Sequence, residues 1–503
     1  MTDADKQATL HGMIAAVARR DGEKSAVGAP GRRALSYTAL DRQIRWLAGD
    51  LEGAGIRRGE RVALAIPNGP ELAVGLLGVA AVATCVPLNP ALKQGELEGL
   101  LSSLGVKALL TTAEGPEAAV QAARRLGLPV LLRERHLDAP AGVLSQVEPR
   151  TPAELAGPDD VALLLGTSGT TAQSKVLPWT HANLVTFAED IARRLELGPD
   201  DTTINLMPLF HSHGLFVSVL GSLAAGAEVV CTPGFFFAAE FFTWLEAHGS
   251  TWYSAVPTVH EALLAHAPRH RELLARSRLR FIRSASSALS PRVMEQLGEV
   301  FRAPVVETYG MTEVVGWLSS TGIPPCRRKP GSVGQPGPSV VILGDEGVPL
   351  PPHVHGEISI EGRRAIGYLG EPVRLTGGWF RTGDVGCLDE EGFLFITGRL
   401  KELINRGGEK ISPHEIDAVL LTHPEVAAAL AFGMPAPTVG EEVAAAVVLK
   451  QGALATEREL REYVAARLAP FKVPRRIISL AELPKGSTGK LRRADMASLL
   501  RLA

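Results

Sequence analysis

The stretch LLLGTSGTTAQSKVLPWTH, from Leu163 to His181, combines an apolar run, a cluster of hydroxyl residues and one lysine. Its apolar start predicts a buried strand, and Thr180 is placed to cap a helix. The Gly, Ser and Thr residues between them predict a loop that presents N–H and hydroxyl groups inward, with Lys175 adding a positive charge. Such a loop suits phosphate oxygens, although a polar surface turn has the same composition.

Two common signatures are missing from this loop. It does not match the phosphate-binding pattern Gly-x-x-x-x-Gly-Lys-Ser/Thr, and Gly166-Thr-Ser168 does not complete a Gly-x-Ser-x-Gly nucleophile elbow. The loop by itself therefore leaves a phosphate site and a surface turn both open.

Strand-like segments recur along the chain, mostly with helical patterns between them. They read RVALAIPNG, VKALL, VLL, VALLL, TINLM, AEVVC, TWYSAV, LRFIRS and APVVETY. This alternation predicts α/β layers. Thr38 is predicted to cap the helix that precedes the first of these segments. The uncharged stretch Leu72 to Leu88 is too short for a membrane span and predicts a buried helix that continues into a strand.

The pattern changes after about residue 325, where Pro and Gly become dense and short strands follow. The tail then predicts a helix at Pro413 to Leu421, two strands, a helix at Thr456 to Leu468 and a last strand. We therefore predict an α/β N-terminal domain over 1–399, built of layered α/β subdomains and a β-rich subdomain. We also predict a small α+β domain over 400–503, which has a normal size for an independent unit.

Composition narrows the class of protein. The 503 residues are 46% hydrophobic and 21% charged with a net charge of −2, which is ordinary globular composition. A dedicated nucleic-acid binder usually has a basic excess. The four cysteines are widely spaced, without a Cys-x-x-Cys pair, which favours a reducing compartment over a disulfide framework. The start MTDADKQATLHG has no basic leader or apolar segment. We expect a cytoplasmic protein with no membrane or nucleic-acid partner.

The segment TSGTTAQSK resembles the phosphate-loop signature of the adenylate-forming enzymes, which include acyl-CoA synthetases, carrier-loading adenylation domains and luciferases. Further motifs of that family follow in the expected order: MPLFHSHG (207–214), ETYGMTE (307–313), GWFRTGD (378–384), ITGRLKELINRGGEKISPHEI (396–416) and LPKGSTGK (483–490). HSHG, KPGSVGQP and KELINRGGEKISPHEI look most like the oxalyl-CoA synthetase branch, with malonyl-CoA synthetases next.

The resemblance implies an acid–thiol ligase. A carboxylate attacks the α-phosphate of ATP to give an acyl-AMP and pyrophosphate, and a thiol then takes the acyl group. ATP, magnesium and coenzyme A are the implied cofactors. Carboxylate and nucleotide are both anionic and repel each other, so cations near the reacting phosphate are needed to offset this repulsion.

Roles at the nucleotide follow from the same resemblance. Thr312 would contact the α-phosphate, Glu313 would hold magnesium, and Lys490 would bridge the acid and the α-phosphate. The other implied nucleotide-binding residues are Thr167, Ser168, Gly169, Thr170, Thr171, Lys175, Ser286, Tyr309, Asp384 and Arg399.

The remaining roles concern the acid and the thiol. His211 would gate the carboxylate site, and the acyl pocket would be lined by His213, Phe216 and Ser287. His-x-His could also place two rings on one face of a strand and bind zinc, but no third ligand has suitable spacing. Lys401 matches the hinge position at which the C-terminal domain would swivel, and the CoA-binding residues would be Gly407 and Gly408.

Several alternatives stay open. The acceptor thiol could belong to a carrier protein's phosphopantetheine, and the protein could be a monomer or a homodimer. Ala172, Ser174 and Val176 depart from the family loop, which leaves a catalytically decayed nucleotide-binding protein as an alternative. The segment EGRRAIGYLGEP is compressed, and RSASSALS replaces a more glycine-rich loop. The acid is predicted to be small or polar, while Trp252 and FFF at 235–237 could wall an aryl or alkyl pocket.

Overall fold

The computed structural model describes residues 8–144, 154–166, 175–234, 238–406, 409–436, 438–485 and 491–502. The chain divides into two compact units. The first is Met1–Arg328 with Arg364–Val373, and the second is Lys329–Arg363 with Arg374–Ala503. The boundary at 399/400 stays a prediction; a strand ends at Arg399 and a short 3₁₀ turn, Leu400–Glu402, follows it.

The first unit alternates strands and helices. Its described strands are β1 (Ser25–Ala29), β2 (Arg32–Ser36), β3 (Arg61–Ala65), β4 (Thr84–Pro87), β5 (Ala108–Thr112), β6 (Val130–Arg133), β7 (Val161–Gly166), β8 (Val176–Thr180), β9 (Thr202–Asn205), β10 (Glu228–Cys231), β11 (Trp252–Ala255), β12 (Phe281–Ser284), β13 (Val305–Tyr309) and β14 (Ser319–Ser320). Its described α-helices are α1 (Leu10–Asp21), α2 (Tyr37–Gly53), α3 (Pro70–Ala80), α4 (Gln94–Ser103), α5 (Glu117–Arg125), α6 (His181–Arg194), α7 (Gly221–Ala225), α8 (Ala238–Ala247), α9 (Pro257–His266), α10 (Arg271–Arg276) and α11 (Pro291–Phe301).

These strands form two sheets. Over the described residues, an eight-stranded sheet has the order β14-β13-β12-β11-β9-β10-β1-β2, and a six-stranded sheet has the order β6-β5-β3-β4-β7-β8. The pairs from β1 through β10, β9, β11 and β12 to β13 are all parallel. Each strand predicted in this unit is present, and the helix and strand predicted within 72–88 are α3 and β4. The α/β class is confirmed.

Apolar side chains from both sheets and their helices fill the core of this unit. Helix α3 is buried on every side, which explains its lack of a polar face. Leu163 and Leu165 of β7 and Leu177 and Trp179 of β8 point into the same core. The described parts of Leu163–His181 are therefore an antiparallel strand pair, β7 and β8, followed directly by α6.

The second unit is rich in strands, as predicted. Its described strands are β15 (Val340–Leu343), β16 (Gly356–Glu361), β17 (Trp379–Leu388), β18 (Leu394–Arg399), β19 (Ile404–Arg406), β20 (Glu409–Ile411), β21 (Val426–Ala436), β22 (Gly440–Leu449) and β23 (Arg476–Ser479). Its described α-helices are α12 (Pro413–Leu421), α13 (Glu457–Ala465) and α14 (Met496–Leu499). Strands β15 to β18 form an antiparallel sheet. Strands β19 to β23 form a mixed sheet, in which β22 and β23 are parallel, and α12 and α13 pack on it. Within the described ranges, no helix is long and apolar enough to cross a membrane.

Two buried histidines join α1 to α6. The backbone N–H of Leu10 donates to Nδ1 of His181 at 3.2 Å, so Nε2 of His181 carries the proton that the Ala80 carbonyl accepts at 2.9 Å. The ring of His11 lies edge-on to His181, with centroids 5.9 Å apart. Burial lowers the pKa of each ring to about 4, with Arg45 also lowering that of His11. Both rings are therefore neutral at pH 7.

This pair predicts a loss of stability in mild acid. An unfolded histidine takes up a proton near pH 6.5, whereas the folded rings do so only near pH 4. Between these values the unfolded chain binds more protons, so each ring destabilises the fold by up to about 1.4 kcal/mol per pH unit as the pH falls. The midpoint temperature of thermal unfolding should therefore fall as the pH is lowered from 6.5 to 4. His181→Gln should reduce that slope and the exposed control His353→Gln should not; an unchanged slope in His181→Gln contradicts the assignment.

Candidate active site

The predicted acid and phosphate residues meet at one edge of the eight-stranded sheet. Strands β9, β11, β12 and β13 are parallel, so their carboxyl ends lie at the same edge. The segments that leave β9, β12 and β13 contain HSHG (211–214), ASSA (285–288) and GMTE (310–313). Crevices outside the carboxyl ends of strands are the usual ligand sites of open α/β sheets.

His213 lies at the centre of this edge. Its Nδ1 is 3.0 Å from the Ser286 hydroxyl, and its Nε2 is 2.7 Å from the Ser254 hydroxyl. His213 begins a buried π-helix that ends at Leu220, an uncommon form often found at functional sites. Gly214 follows it because a Cβ there would lie 2.5 Å from the Pro208 carbonyl oxygen. The local backbone therefore holds the His213 ring against β11 and the loop after β12.

Arg283 is the unexpected member of the cluster. Its Nη1 donates to the Ser254 hydroxyl at 2.8 Å and to Nε2 of His213 at 3.2 Å. Since a guanidinium only donates, His213 accepts at Nε2 and its Nδ1 proton faces Ser286. The guanidinium also lies over the Trp317 ring, 4.7 Å from its centroid. Burial lowers the pKa of Arg283 to about 9, so the side chain remains charged at pH 7.

Ser286 and Ser287 lie on an exposed turn after β12. Ser286 has a φ of 71°, in the left-handed region that favours glycine, so it adopts the backbone of a glycine-rich loop while presenting a hydroxyl to His213. Glu307, on β13, accepts a hydrogen bond from the backbone N–H of Leu289 at 3.0 Å and so ties this turn to the neighbouring strand. Burial raises the pKa of Glu307 to about 7.

Thr312 and Glu313 lie just beyond β13. The Thr312 hydroxyl is 3.4 Å from that of Ser212, which places HSHG beside GMTE. The Tyr368 hydroxyl donates to Oε1 of Glu313 at 3.1 Å, and the Lys175 ammonium lies 4.4 Å from the centroid of the Tyr368 ring. Burial, and then Glu313, raise the pKa of Tyr368 to about 12, so its phenol stays a donor. The structure thus brings Lys175 and Glu313 to one tyrosine.

Comparison with known proteins decides the family. The model of the AMP-binding enzyme family matches residues 14–369, and that of the AMP-binding enzyme C-terminal domain matches 415–490. This chain belongs to the AMP-binding enzyme family. An oxalate–CoA ligase from Arabidopsis thaliana is 40% identical over 97% of this chain and 98% of the relative. A sulfoacetate–CoA ligase from Cupriavidus necator is 35% identical over 97% of each. The solved structure of ATP-bound MatB from Rhodopseudomonas palustris is 27% identical, with a TM-score of 0.87 over 98% of this chain and 99% of that one.

These findings confirm several predictions. The resemblance to adenylate-forming enzymes, the mixed α/β fold with a large and a small domain, and the acid–CoA ligase chemistry are confirmed. ATP, magnesium and coenzyme A are the cofactors of such AMP-binding ligases. The roles of single residues and the domain boundary stay predictions.

The carboxylate of Glu313 in this AMP-binding enzyme fits a magnesium ion that is shared with ATP. Within the described residues, no group of three or more His, Cys, Asp and Glu side chains could hold a metal by itself. Magnesium is usually held by one or two carboxylates together with substrate phosphates, and Glu313 is a half-buried carboxylate of that kind. Glu313 would therefore hold the ion together with the nucleotide phosphates, and the ion would help to neutralise their charge.

Other predicted residues of the first unit have different surroundings. Tyr309 is buried at the end of β13. Phe216 is buried against Trp179 and Phe187, with ring centroids 4.7 and 5.4 Å away, and Trp252 stacks on Phe281 in the same core. The alternative in which His211 and His213 share one face of a strand does not hold. β9 ends at Asn205, so His211 lies in a loop beside Phe210 and His213 begins the π-helix.

In the second unit, two of the predicted nucleotide-binding residues lie side by side. Asp384 and Arg399 are opposite each other on β17 and β18, and Nε of Arg399 is 2.8 Å from Oδ1 of the buried Asp384. Lys401 is exposed in the 3₁₀ turn after β18. Its neighbour Glu402 lies 3.3 Å from Nε of Arg493, near the C-terminus.

Some predicted residues lie outside the described part of the chain. They are Thr167, Ser168, Gly169, Thr170, Thr171, Gly407, Gly408 and Lys490, together with the FFF segment at 235–237.

Sequence reasoning missed Ser254, Arg283, Glu307 and Tyr368. One signal was present for Arg283, because it directly follows the apolar pair Phe281 and Ile282 in a predicted strand. The role of Tyr368 depends on which loop its segment contacts, and no local pattern reports that.

Proposed function

We propose that this AMP-binding enzyme joins CoA to a small acid that carries a second anionic group next to its carboxylate, such as oxalate or sulfoacetate. The observation that carries the proposal is the buried guanidinium of Arg283. The acid is first activated by ATP as an acyl-AMP, with release of pyrophosphate, and the CoA thiol then displaces AMP.

The electrostatics of Arg283 support a dianionic acid. The side chain is 4% exposed, and within the described residues no carboxylate pairs with it. Its Nε is buried without a hydrogen-bond partner in that part of the chain. A buried, unpaired charge costs several kcal/mol, so such a charge usually has a partner. A carboxylate or sulfonate of the substrate would supply the missing charge and accept from the guanidinium.

The surroundings of Arg283 set the size and polarity of this acid. His213 and Ser254 contact the Arg283 guanidinium, and Ser286 contacts His213. Hydroxyl and imidazole groups therefore lie beside the charge. The aromatic residues Phe216 and Trp252 instead pack within the apolar core. Among the relatives, the oxalate and sulfoacetate ligases are named for acids with two anionic groups. A small polar acid therefore fits this edge better than an aryl or alkyl acid.

The remaining roles follow the family motifs and the contacts described above. Thr312 contacts the α-phosphate, while the β- and γ-phosphates are bound by Lys175 with the loop residues Thr167, Ser168, Gly169, Thr170 and Thr171. Glu313 holds magnesium, and Tyr309 and Ser286 border the adenine. Asp384 binds the ribose hydroxyls and Arg399 reaches the nucleotide. His211 gates the carboxylate site, and His213 and Ser287 contribute to the acyl pocket.

The C-terminal part supplies the second half-reaction. The domain at 400–503 turns about Lys401, so that Lys490 serves adenylation and Gly407 and Gly408 then face the CoA chain. Carrier-protein phosphopantetheine is the alternative acceptor to CoA. We place the enzyme in the cytoplasm, as a monomer or homodimer.

An acid panel tests this function. Purified enzyme with ATP, magnesium and CoA should release AMP with oxalate or sulfoacetate at a kcat/KM at least about tenfold above that for acetate, glycolate or benzoate, since a charged hydrogen bond contributes about 1.5–3 kcal/mol. Equal rates for the mono- and dianionic acids would refute the substrate class. Thioester formed with a carrier protein but not with CoA would refute the acceptor. ATP binding without AMP release for any acid would favour the decayed nucleotide-binding protein.

A further inference from the structure

The compressed segment EGRRAIGYLGEP contains a strap that none of the roles above uses. We define the strap as Arg364–Val373, which belongs to the first unit although the sequence on both sides belongs to the second. Its first half docks on the residues after GMTE. The Val315 N–H donates to the Arg364 carbonyl at 2.9 Å, and the Ile366 N–H donates to the Glu313 carbonyl at 2.7 Å. The guanidinium of Arg364 also donates to the Trp317 carbonyl at 2.9 Å.

The second half of the strap reaches the other side of the phosphate site. The Leu369 N–H donates to the Val176 carbonyl at 2.7 Å, and Val176 is the residue directly after Lys175. The strap therefore connects the exit of the phosphate loop to the backbone of Glu313 by main-chain hydrogen bonds at both ends.

Tyr368 lies between these two attachments and contacts both charged side chains. Its hydroxyl donates to Glu313 at 3.1 Å, and its ring face lies 4.4 Å from the Lys175 ammonium. Within the described residues, neither Lys175 nor Glu313 has an ion-pair partner, so both charges remain available to a ligand while one side chain orients them. A phenol can do this for opposite charges at once, because its hydroxyl donates to anions and its ring face attracts cations.

We propose that Tyr368 is a positioning residue that sets the Lys175 ammonium and the Glu313 carboxylate for the triphosphate and its magnesium ion. The inference rests on the proposed roles of these two residues. Its two contacts are separable, since the ring acts on Lys175 and the hydroxyl acts on Glu313.

A double-mutant cycle tests the ring. ATP binding to the full chain is measured by calorimetry without magnesium for wild type, Lys175→Ala, Tyr368→Leu and the double variant. Tyr368→Leu should weaken ATP binding by about threefold to tenfold, the scale of a cation–π contact of this kind. In the Lys175→Ala background it should cause no further loss, because the side chain that the ring orients is then missing.

Tyr368→Phe tests the hydroxyl and retains the ring. Its ATP binding without magnesium should equal that of wild type, whereas the magnesium concentration that gives half of the magnesium-dependent gain in ATP affinity should rise about threefold or more, the scale of one lost hydrogen bond to a charged group. Since Phe keeps the ring volume, this variant also tests the inference if Tyr368→Leu does not fold, which thermal unfolding will report.

Tyr463 offers a matched control. Its hydroxyl lies 3.1 Å from the Thr422 hydroxyl, and the Arg467 guanidinium carbon lies 3.5 Å from its ring centroid, so it also makes a hydroxyl contact and a cation–π contact, but in the second unit. Tyr463→Leu should leave ATP binding unchanged.

The outcomes distinguish the proposed phosphate role of Lys175 from the positioning role of Tyr368. If Lys175→Ala binds ATP like wild type, the proposed phosphate role of Lys175 is wrong. If Lys175→Ala weakens binding and Tyr368→Leu does not, or if the two losses simply add, the positioning role of Tyr368 is overturned. An unchanged magnesium dependence in Tyr368→Phe overturns the role of the hydroxyl.

Discussion

Arg283→Met should lower kcat/KM for the dianionic acid by about 10²–10³, because removing one partner of a buried, hydrogen-bonded charge pair costs about 2–5 kcal/mol. Methionine fills much of the same volume but cannot donate. The rate with a monoanionic acid such as acetate should change little, so the variant loses its preference for a second anionic group. Steady-state kinetics with oxalate, sulfoacetate and acetate measure kcat/KM for both classes of acid.

Stability measurements distinguish this role from a structural one. The free wild-type enzyme holds a buried charge without a carboxylate among the described residues, so Arg283→Met should unfold at the same or a higher temperature. The dianionic acid should raise the unfolding temperature of wild type and have a smaller effect on the variant. Arg292→Met, an exposed arginine on α11, controls for the loss of net charge. A lower unfolding temperature together with an equal loss for all acids would mean that Arg283 only supports the fold.

Local signals in the sequence predicted the elements well, because capping and periodicity act over a few residues. Thr180 was predicted to cap the helix after the phosphate loop, and its side chain accepts from the Asn183 N–H. Thr38 was predicted to cap α2, but Ser36 does so, accepting from the Ala39 N–H at 3.3 Å. Both residues can cap a helix. The helix begins at Tyr37, which is fully buried and donates through its hydroxyl to the Ala227 carbonyl at 2.7 Å.

The site depends on contacts that the sequence does not report. Motifs identified His213, Ser286, Thr312 and Glu313 because family spacing marks them. The partners of these residues come from strands and loops that become neighbours only through the order of strands in the sheet. Arg283 meets Ser254 across 29 residues, and Tyr368 meets Glu313 across 55. Such pairs can be identified only from the fold, whereas a motif can be recognised in the sequence alone.

The same distinction applies to the chain's departures from the family pattern. Ser286 adopts the left-handed backbone that favours glycine, and its hydroxyl also contacts His213, so the serine keeps that conformation and adds a polar group. The compressed segment EGRRAIGYLGEP retains an arginine, an isoleucine and a tyrosine that dock it on Glu313 and the residues beyond it. Both departures are compatible with an active enzyme.

Lys490→Ala should lower the rate of adenylation by about 10²–10³, the scale of losing one group that stabilises charge in the transition state. In the proposed mechanism this lysine bridges the incoming carboxylate and the α-phosphate, and both are anions. The variant should still convert preformed acyl-AMP and CoA to acyl-CoA at the wild-type rate, because the proposed swivel would by then have turned Lys490 away. Pyrophosphate exchange measures the first step, and consumption of synthetic acyl-AMP measures the second.

Lys485 provides the matched control for this experiment, since it lies in the same motif, LPKGSTGK, and its ammonium is 4.0 Å from the exposed Glu482. Lys485→Ala should leave both half-reactions intact because a surface pair of this kind contributes little. A loss of both half-reactions in Lys490→Ala would show that the lysine stays in place throughout, and the proposed swivel about Lys401 would then be wrong. Loss of the first step alone, with Arg283→Met losing only the dianionic acids, would separate the two cations: Lys490 serves the reacting carboxylate, and Arg283 serves the second anionic group.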